Sequence, residues 1–204
     1  MERAELHVSL RLAAVAFAVI GLWFGVLVPL HPNILDGPVA EAVLADGEWR
    51  LTHTAMFFVG IAGVFGGAGF VALHRNRFGR IGSLVLVATI FTGFATAGAG
   101  LLEATALPLL AKENPALIAW DGPLFSAPLF RALTGPWLLF PLCLAALGAL
   151  AYRDGAHRNA GLALGASGVV FFGPGMWFVP IAGLISCVLF GAALWWWALI
   201  LWRA

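Results

Sequence analysis

A series of apolar runs, each close to twenty residues and separated by short connectors, constrains this chain more than anything else. A helix needs about 20 mainly apolar residues to cross the hydrocarbon of a bilayer, and within that layer each backbone N–H and C=O must find its partner inside the segment. Five runs have the length directly: 12–30, 54–73, 81–102, 133–152 and 181–202. A sixth, 160–179, qualifies if its Gly173-Pro174-Gly175 interruption is tolerated. The expected fold is therefore all-α: a polytopic integral membrane protein, with residues 1–204 forming one transmembrane domain, a six-helix bundle. Composition agrees. Only 10% of the 204 residues are charged, 62% are hydrophobic, and mean hydropathy is +0.97. A soluble domain carries about 25% charged residues, so too few polar groups are present to coat a water-soluble globule. The expected partner is the lipid bilayer. A net charge of +1 gives nucleic acid nothing to bind.

Orientation follows from the connectors. The N-terminus, segments 74–80 and 152–159, and the C-terminus together hold Arg3, Arg11, Arg75, Arg77, Arg80, Arg153, Arg158 and Arg203, eight of the eleven basic residues. The opposite connectors hold Arg50, Lys112 and Arg131 with Asp36, Glu41, Asp46, Glu48, Glu113 and Asp121. The arginine-rich side is cytoplasmic by the positive-inside rule, which predicts both termini in the cytoplasm and a multi-pass protein of the inner (plasma) membrane. Richness in Ala, Gly and Arg suggests a bacterial source. Arg3 and Arg11 precede the first run as in a signal peptide, but the run is too long and ends in Pro29-Leu30-His31-Pro32, so an uncleaved first span is expected.

Lipid gives helices no hydrophobic reason to associate, so stripes of small residues mark packing faces. Such stripes run through Ala14, Ala18, Gly21 and Gly25; through Gly60, Gly63, Gly66, Gly67 and Gly69; and through Gly161, Gly165 and Gly168. The third run carries Thr92, Thr96 and Gly100, and Glu103 follows on the same face. That periodicity points Glu103 at the bundle. Pro136 and Pro141 should kink the fourth span. A helix ending at Gly173 rises about 21 Å, short of a ~30 Å core. Stopping there would leave a depression open to the outer face.

Ionisable groups at membrane depth are functional suspects. Glu103 is the sole carboxylate inside an apolar run; His53 lies one turn into the second span behind Thr52, a candidate helix cap. His31 follows the first span, and Trp49, Trp120 and Trp177 lie at the same level. The plain alternative for each histidine is a bond to backbone or water, and for the tryptophans an interfacial belt. The sharper reading makes His53 and Glu103 an acid/base pair, with Trp49, Trp120 and Trp177 as walls of a pocket for a lipophilic small molecule. A Glu–His couple in apolar surroundings suits proton transfer. No metal site is expected, although His31, His53 and Glu103 form a weak alternative ligand set of two histidines and a carboxylate. A bis-histidine haem on His31 and His53 is a further alternative, disfavoured because prolines bracket His31. No cofactor can be named.

Other chemistries drop out. The Gly165-Ala166-Ser167-Gly168 sequence has no later histidine to activate its serine. No lysine lies in a run, which excludes a Schiff base. Cys143 and Cys187 form no CxxC motif and read as packing residues. The connector 112–131 is too apolar for a free loop and is expected to lie in the interface or cover the bundle. Three function classes remain: binding, with acid/base conversion of isomerisation or cyclisation type; a non-catalytic subunit holding haem, pigment or quinone beside other membrane subunits; and a small-solute channel or transporter.

Overall fold

The computed structural model describes residues 3–34, 37–45 and 47–204. Asp36 and Asp46, counted above among the connector acids, lie outside the described residues, as do the side chains of Arg3 and Arg75. Nine α-helices are described: α1 (Arg3–Leu22), α2 (Val39–Ala45), α3 (Gly47–Leu73), α4 (Arg75–Glu113), α5 (Pro123–Ser126), α6 (Pro128–Thr134), α7 (Phe140–Asp154), α8 (Arg158–Val170) and α9 (Ala182–Arg203). No strand occurs among the described residues. Two helices do not end cleanly. Following α1 come a π-helical turn, Trp23–Leu27, and a 3-10 turn, Val28–Leu30; following α8 comes a second π-helical turn, Phe171–Gly175.

Among the described residues five segments are long and apolar enough to cross a membrane: Glu5–Leu30, Gly47–Leu73, Arg77–Glu113, Pro128–Asp154 and Ala182–Arg203. These are the five runs read directly from the sequence, four of them lengthened and the last shifted by one residue, and they make this a membrane-embedded helical protein. The 160–179 run is shorter in structure. Its α-helix has 13 residues, a rise of about 20 Å, before the π turn and the break at Pro174. The fourth run is interrupted as its prolines require: Gly135–Leu139 is a 3-10 turn, and α7 starts only at Phe140.

Thr52 does not cap a helix. The helix begins at Gly47, not beside Thr54, because Gly47-Glu48-Trp49-Arg50 already form its first turn. Thr52 is consequently an interior helical residue, buried, and its Oγ1 has no hydrogen-bond partner.

The small-residue stripes are where backbones meet. Gly21 of α1 and Gly25 of the π turn that follows it face Gly191 of α9, and the Trp195 indole donates to the Ala18 carbonyl at 2.9 Å. Arg11 stacks over Trp202, so α1 and α9 run antiparallel and both chain ends lie at one end of the bundle, the terminal end. Gly60 of α3 lies against Gly93 and Ala97 of α4, and Gly148 of α7 against Gly161 and Gly165 of α8. Gly100 of α4 touches α3 one turn away from Glu103. A Cβ there would sit 2.6 Å from Phe57 N and 2.8 Å from the His53 carbonyl oxygen. Glycine at this point sets how closely α4 approaches the start of α3. Thr92 and Thr96 return their hydroxyls to backbone carbonyls of α4 at 2.8 Å, so they add no unpaired polar group to the seam.

Two apolar clusters result. The larger joins α1, α3, α7, α8 and α9 around Phe17, Phe24, Phe70, Phe140, Phe190 and Trp197. The smaller, containing Val39, Val43, Trp49, Leu107, Ala111 and Ile118, forms at the opposite, distal end. There the last turns of α4 stand beyond the bundle and are packed by α2 and the 3-10 turn Pro115–Ile118. At the terminal end, Arg77 donates to both oxygens of the buried Asp154, at 3.1 and 3.2 Å. His74 stacks on Phe78 with ring centroids 4.6 Å apart; its Nδ1–H donates to the Phe70 carbonyl, while the buried Nε2 makes no hydrogen bond and lies 3.9 Å from Asp154 Oδ2.

Candidate functional site

The distal end of the bundle encloses a cavity of about 410 Å3. Ligand pockets are commonly 300–1,000 Å3, apolar, with a few convergent polar groups. Its walls come from the turns that follow α1, Ile34 and the start of α2, the start of α3, the distal half of α4, the connector through Leu138 with the first residues of α7, and the turn after α8. Each is placed by a local sequence cause. Pro29 lies in the 3-10 turn that ends α1 and leaves His31 in extended backbone at ψ 130°. The Gly173-Pro174-Gly175 break stops α8 short and lets Gly175, Met176, Trp177 and Phe178 close one side. The expected depression is this wall. Pro115, Pro123 and Pro128 each open a short helical turn in the connector, which folds Trp120, Phe125 and Phe130 over the cavity.

All six side chains singled out from the sequence line this space. His53 and Glu103 are joined: His53 Nε2 lies 2.9 Å from Glu103 Oε2, both largely buried. Trp49 is 2% exposed; its indole N–H donates to the Glu103 carbonyl at 2.8 Å, tying the start of α3 to α4. Trp120 and Trp177 are 51% and 58% exposed and form the rim, half belt and half wall. Trp120 donates to the Ile34 carbonyl at 3.3 Å. Sequence reasoning undervalued His31 and overlooked Trp23, Trp137 and Phe178. His31 Nε2 is 3.3 Å from His53 Nε2, and its ring lies between Trp49 and Phe178, each 5.1 Å away by centroid. Phe178 reaches it from a backbone with φ 51°, a region that a bulky residue seldom occupies. The spacing from Pro29 to Pro32 was the available signal for His31, but it reads as loop unless the preceding helix is known to persist to Leu30.

The hydrogen bonds fix the tautomers. His31 Nδ1 lies 2.7 Å from the Pro32 carbonyl oxygen, and His53 Nδ1 lies 2.7 Å from that of Trp49. A carbonyl only accepts, so both Nδ1 atoms carry hydrogen and both Nε2 atoms turn toward the Glu103 carboxylate end. His53 is central, touching the other two. Burial, followed by the neighbouring His53, lowers the His31 pKa from 6.5 to about 4, against an opposing contribution from the Pro32 carbonyl.

Among the described residues no three His, Cys, Asp or Glu side chains form a group that could hold a metal ion. A bis-histidine haem is poorly served as well. Two Nε2 atoms 3.3 Å apart leave no room for an iron that needs about 2.0 Å to each nitrogen on opposite faces of a macrocycle. Compared with protein-family models, curated proteins and solved structures, the chain matches none.

Proposed function

We propose that this protein binds a lipophilic small molecule in the distal cavity and acts on it by acid/base chemistry of isomerisation or cyclisation type. In this reading the chain crosses the inner membrane of a bacterium six times. The broken α8 segment serves as the short crossing, both termini are cytoplasmic, and the cavity faces the outer side. The arginine distribution supports that orientation.

One observation carries the functional reading: the His53–Glu103 contact of 2.9 Å on the wall of an aromatic-lined cavity. Placing an ionisable side chain at membrane depth costs roughly 2.5–3.5 kcal/mol on insertion scales. Packing alone does not recover that, since an apolar side chain of the same size would fill the space. A proton donor and acceptor within hydrogen-bond reach, beside an apolar cavity, meet the geometric condition for general acid–base catalysis. Among the described residues no hydroxyl or thiol is hydrogen-bonded to the His53 or Glu103 side chain, so proton transfer within one substrate fits better than hydrolysis.

The test is extraction of protein purified in its native lipids, followed by mass spectrometry. Wild type is expected to carry a lipophilic compound above the level in bulk lipid, and Glu103→Gln and His53→Phe to lose it or to hold it unconverted. Equal bulk-lipid profiles for all three, or a visible absorption band from a bound pigment, would refute the reading.

A further inference from the structure

His31 and His53 together offer the cavity something neither offers alone. Both Nδ1 hydrogens are committed to carbonyl oxygens at 2.7 Å. In their neutral forms both rings therefore present bare nitrogen lone pairs, aimed at each other across 3.3 Å, with the Glu103 carboxylate 2.9 Å from one of them. Three acceptors cannot face one another unsatisfied in a largely buried site. One proton on His53 Nε2 resolves the conflict. It lies along the shorter contact, to the carboxylate, where opposite charges meet. The imidazolium–carboxylate pair is then neutral overall, as the low dielectric favours.

His31 is left as a neutral ring whose Nε2 receives only the weaker, longer branch of that hydrogen bond. A second unsatisfied group shares the cavity wall: Thr52 Oγ1, buried and without a partner. We infer that the cavity takes a lipophilic alcohol, whose hydroxyl donates to Nε2 of His31 and accepts from the hydroxyl of Thr52. This assignment rests on the acid/base reading above and names its ligand class.

Competing ligand classes fit less well. Ethers and ketones only accept hydrogen bonds and would leave the His31 nitrogen bare, as would a fully ionised carboxylate or phosphate. An ammonium would bring a charge that the His53–Glu103 pair, already neutral, cannot compensate. The remaining wall is hydrocarbon and aromatic, including Phe24, Val28, Met56, Phe140 and Phe171, so the rest of the molecule must be apolar. At roughly 30 Å3 per non-hydrogen atom, the share a water takes in the liquid, about 410 Å3 admits roughly 14 such atoms.

The test uses full-length protein in lipid nanodiscs with 15N-labelled histidine and four probes at equal membrane mole fraction: decan-1-ol, its methyl ether, decane and decyl phosphate. Tryptophan fluorescence reports occupancy of the cavity, and the His31 Nε2 resonance reports the hydrogen bond. Decan-1-ol is expected to bind at least tenfold more tightly than the ether, the equivalent of one hydrogen bond, and alone to shift His31 Nε2. Thr52→Val removes a hydroxyl that bonds to nothing within the protein, so the variant is expected to fold; it should weaken binding of alcohol and ether alike, since both oxygens accept from Thr52, and leave the preference for alcohol over ether in place. His31→Phe should abolish that preference. Equal binding of alcohol, ether and decane, or tighter binding of the phosphate through Arg131 at the mouth, would overturn the alcohol assignment while leaving the lipophile pocket standing. No fluorescence response to any probe would overturn both.

Discussion

Gly100→Ala is the sharpest probe of how the fold builds the site. The added Cβ would lie 2.6 Å from the amide nitrogen of Phe57, where ordinary contact begins at 3.4 Å. The obstacles are backbone atoms of α3, including the His53 carbonyl oxygen at 2.8 Å, so no side chain can swing aside. The helices must part by about 0.8 Å, the difference between those contact distances. Glu103 stands one turn further along the same face of α4. If it moves with its helix, its contact to His53 opens from 2.9 Å to roughly 3.7 Å, beyond hydrogen-bond range. Overpacking costs about 1–3 kcal/mol, and losing a hydrogen bond to a charged group about 1.5–3 kcal/mol. Together these take a large share of a typical stability of about 5–15 kcal/mol, and correspond to a melting point lower by about 10 °C. The assay is thermal unfolding in detergent followed by circular dichroism, with the His53 15N resonances read in parallel. Gly98→Ala is the control: a Cβ at Gly98 meets nothing within 4 Å, so that variant should melt with wild type. If Gly100→Ala melts alongside Gly98→Ala and His53 is undisturbed, the backbone contact does not set the site and the reasoning fails.

Acid should destabilise the protein through His31. Its pKa falls from 6.5 in the unfolded chain to about 4 in the fold, so between those values the unfolded state binds the proton and the folded state does not. Stability should be level above pH 6.5, decline toward pH 4 by at most about 3 kcal/mol, and flatten in His31→Gln; melting points across that range are the check. At the terminal end, Asp154→Asn removes the carboxylate that raises the His74 pKa against the burial that lowers it. The His74 titration, followed by NMR, should move further to acid. The same substitution frees Arg77, which is 58% exposed, so the cost in stability should stay near 1 kcal/mol.

Much of this was readable in advance because membrane burial leaves a strong trace in sequence. Long apolar runs found five spans, and the step from Thr96 through Gly100 to Glu103 gave the carboxylate its direction, since a helical face repeats whatever packs beside it. His53 was found as a polar residue at matching depth. What sequence could not supply was the exact path of the chain at helix ends. The second span, α3, starts at Gly47, which makes Thr52 an interior orphan and not a cap; a helical turn containing Trp and Arg carries no apolar signature of a span. His31, flanked by Leu30 and Pro32, reads as loop, and only the persistence of helical turns from Trp23 to Leu30 carries it to His53. Phe178 reaches His31 through a positive φ that no residue pattern announces.

Two π-helical turns, Trp23–Leu27 and Phe171–Gly175, flank the same cavity. Such a turn is an α-helix carrying one residue too many, and each helical residue advances the chain by about 100°. The widened turn absorbs that residue, so the chain on either side keeps its course. Loss of a single codon between Trp23 and Leu27 would let the helix close regularly and narrow the wall at that point. In these ten positions a deletion is therefore a change of cavity width, and a substitution a change of lining.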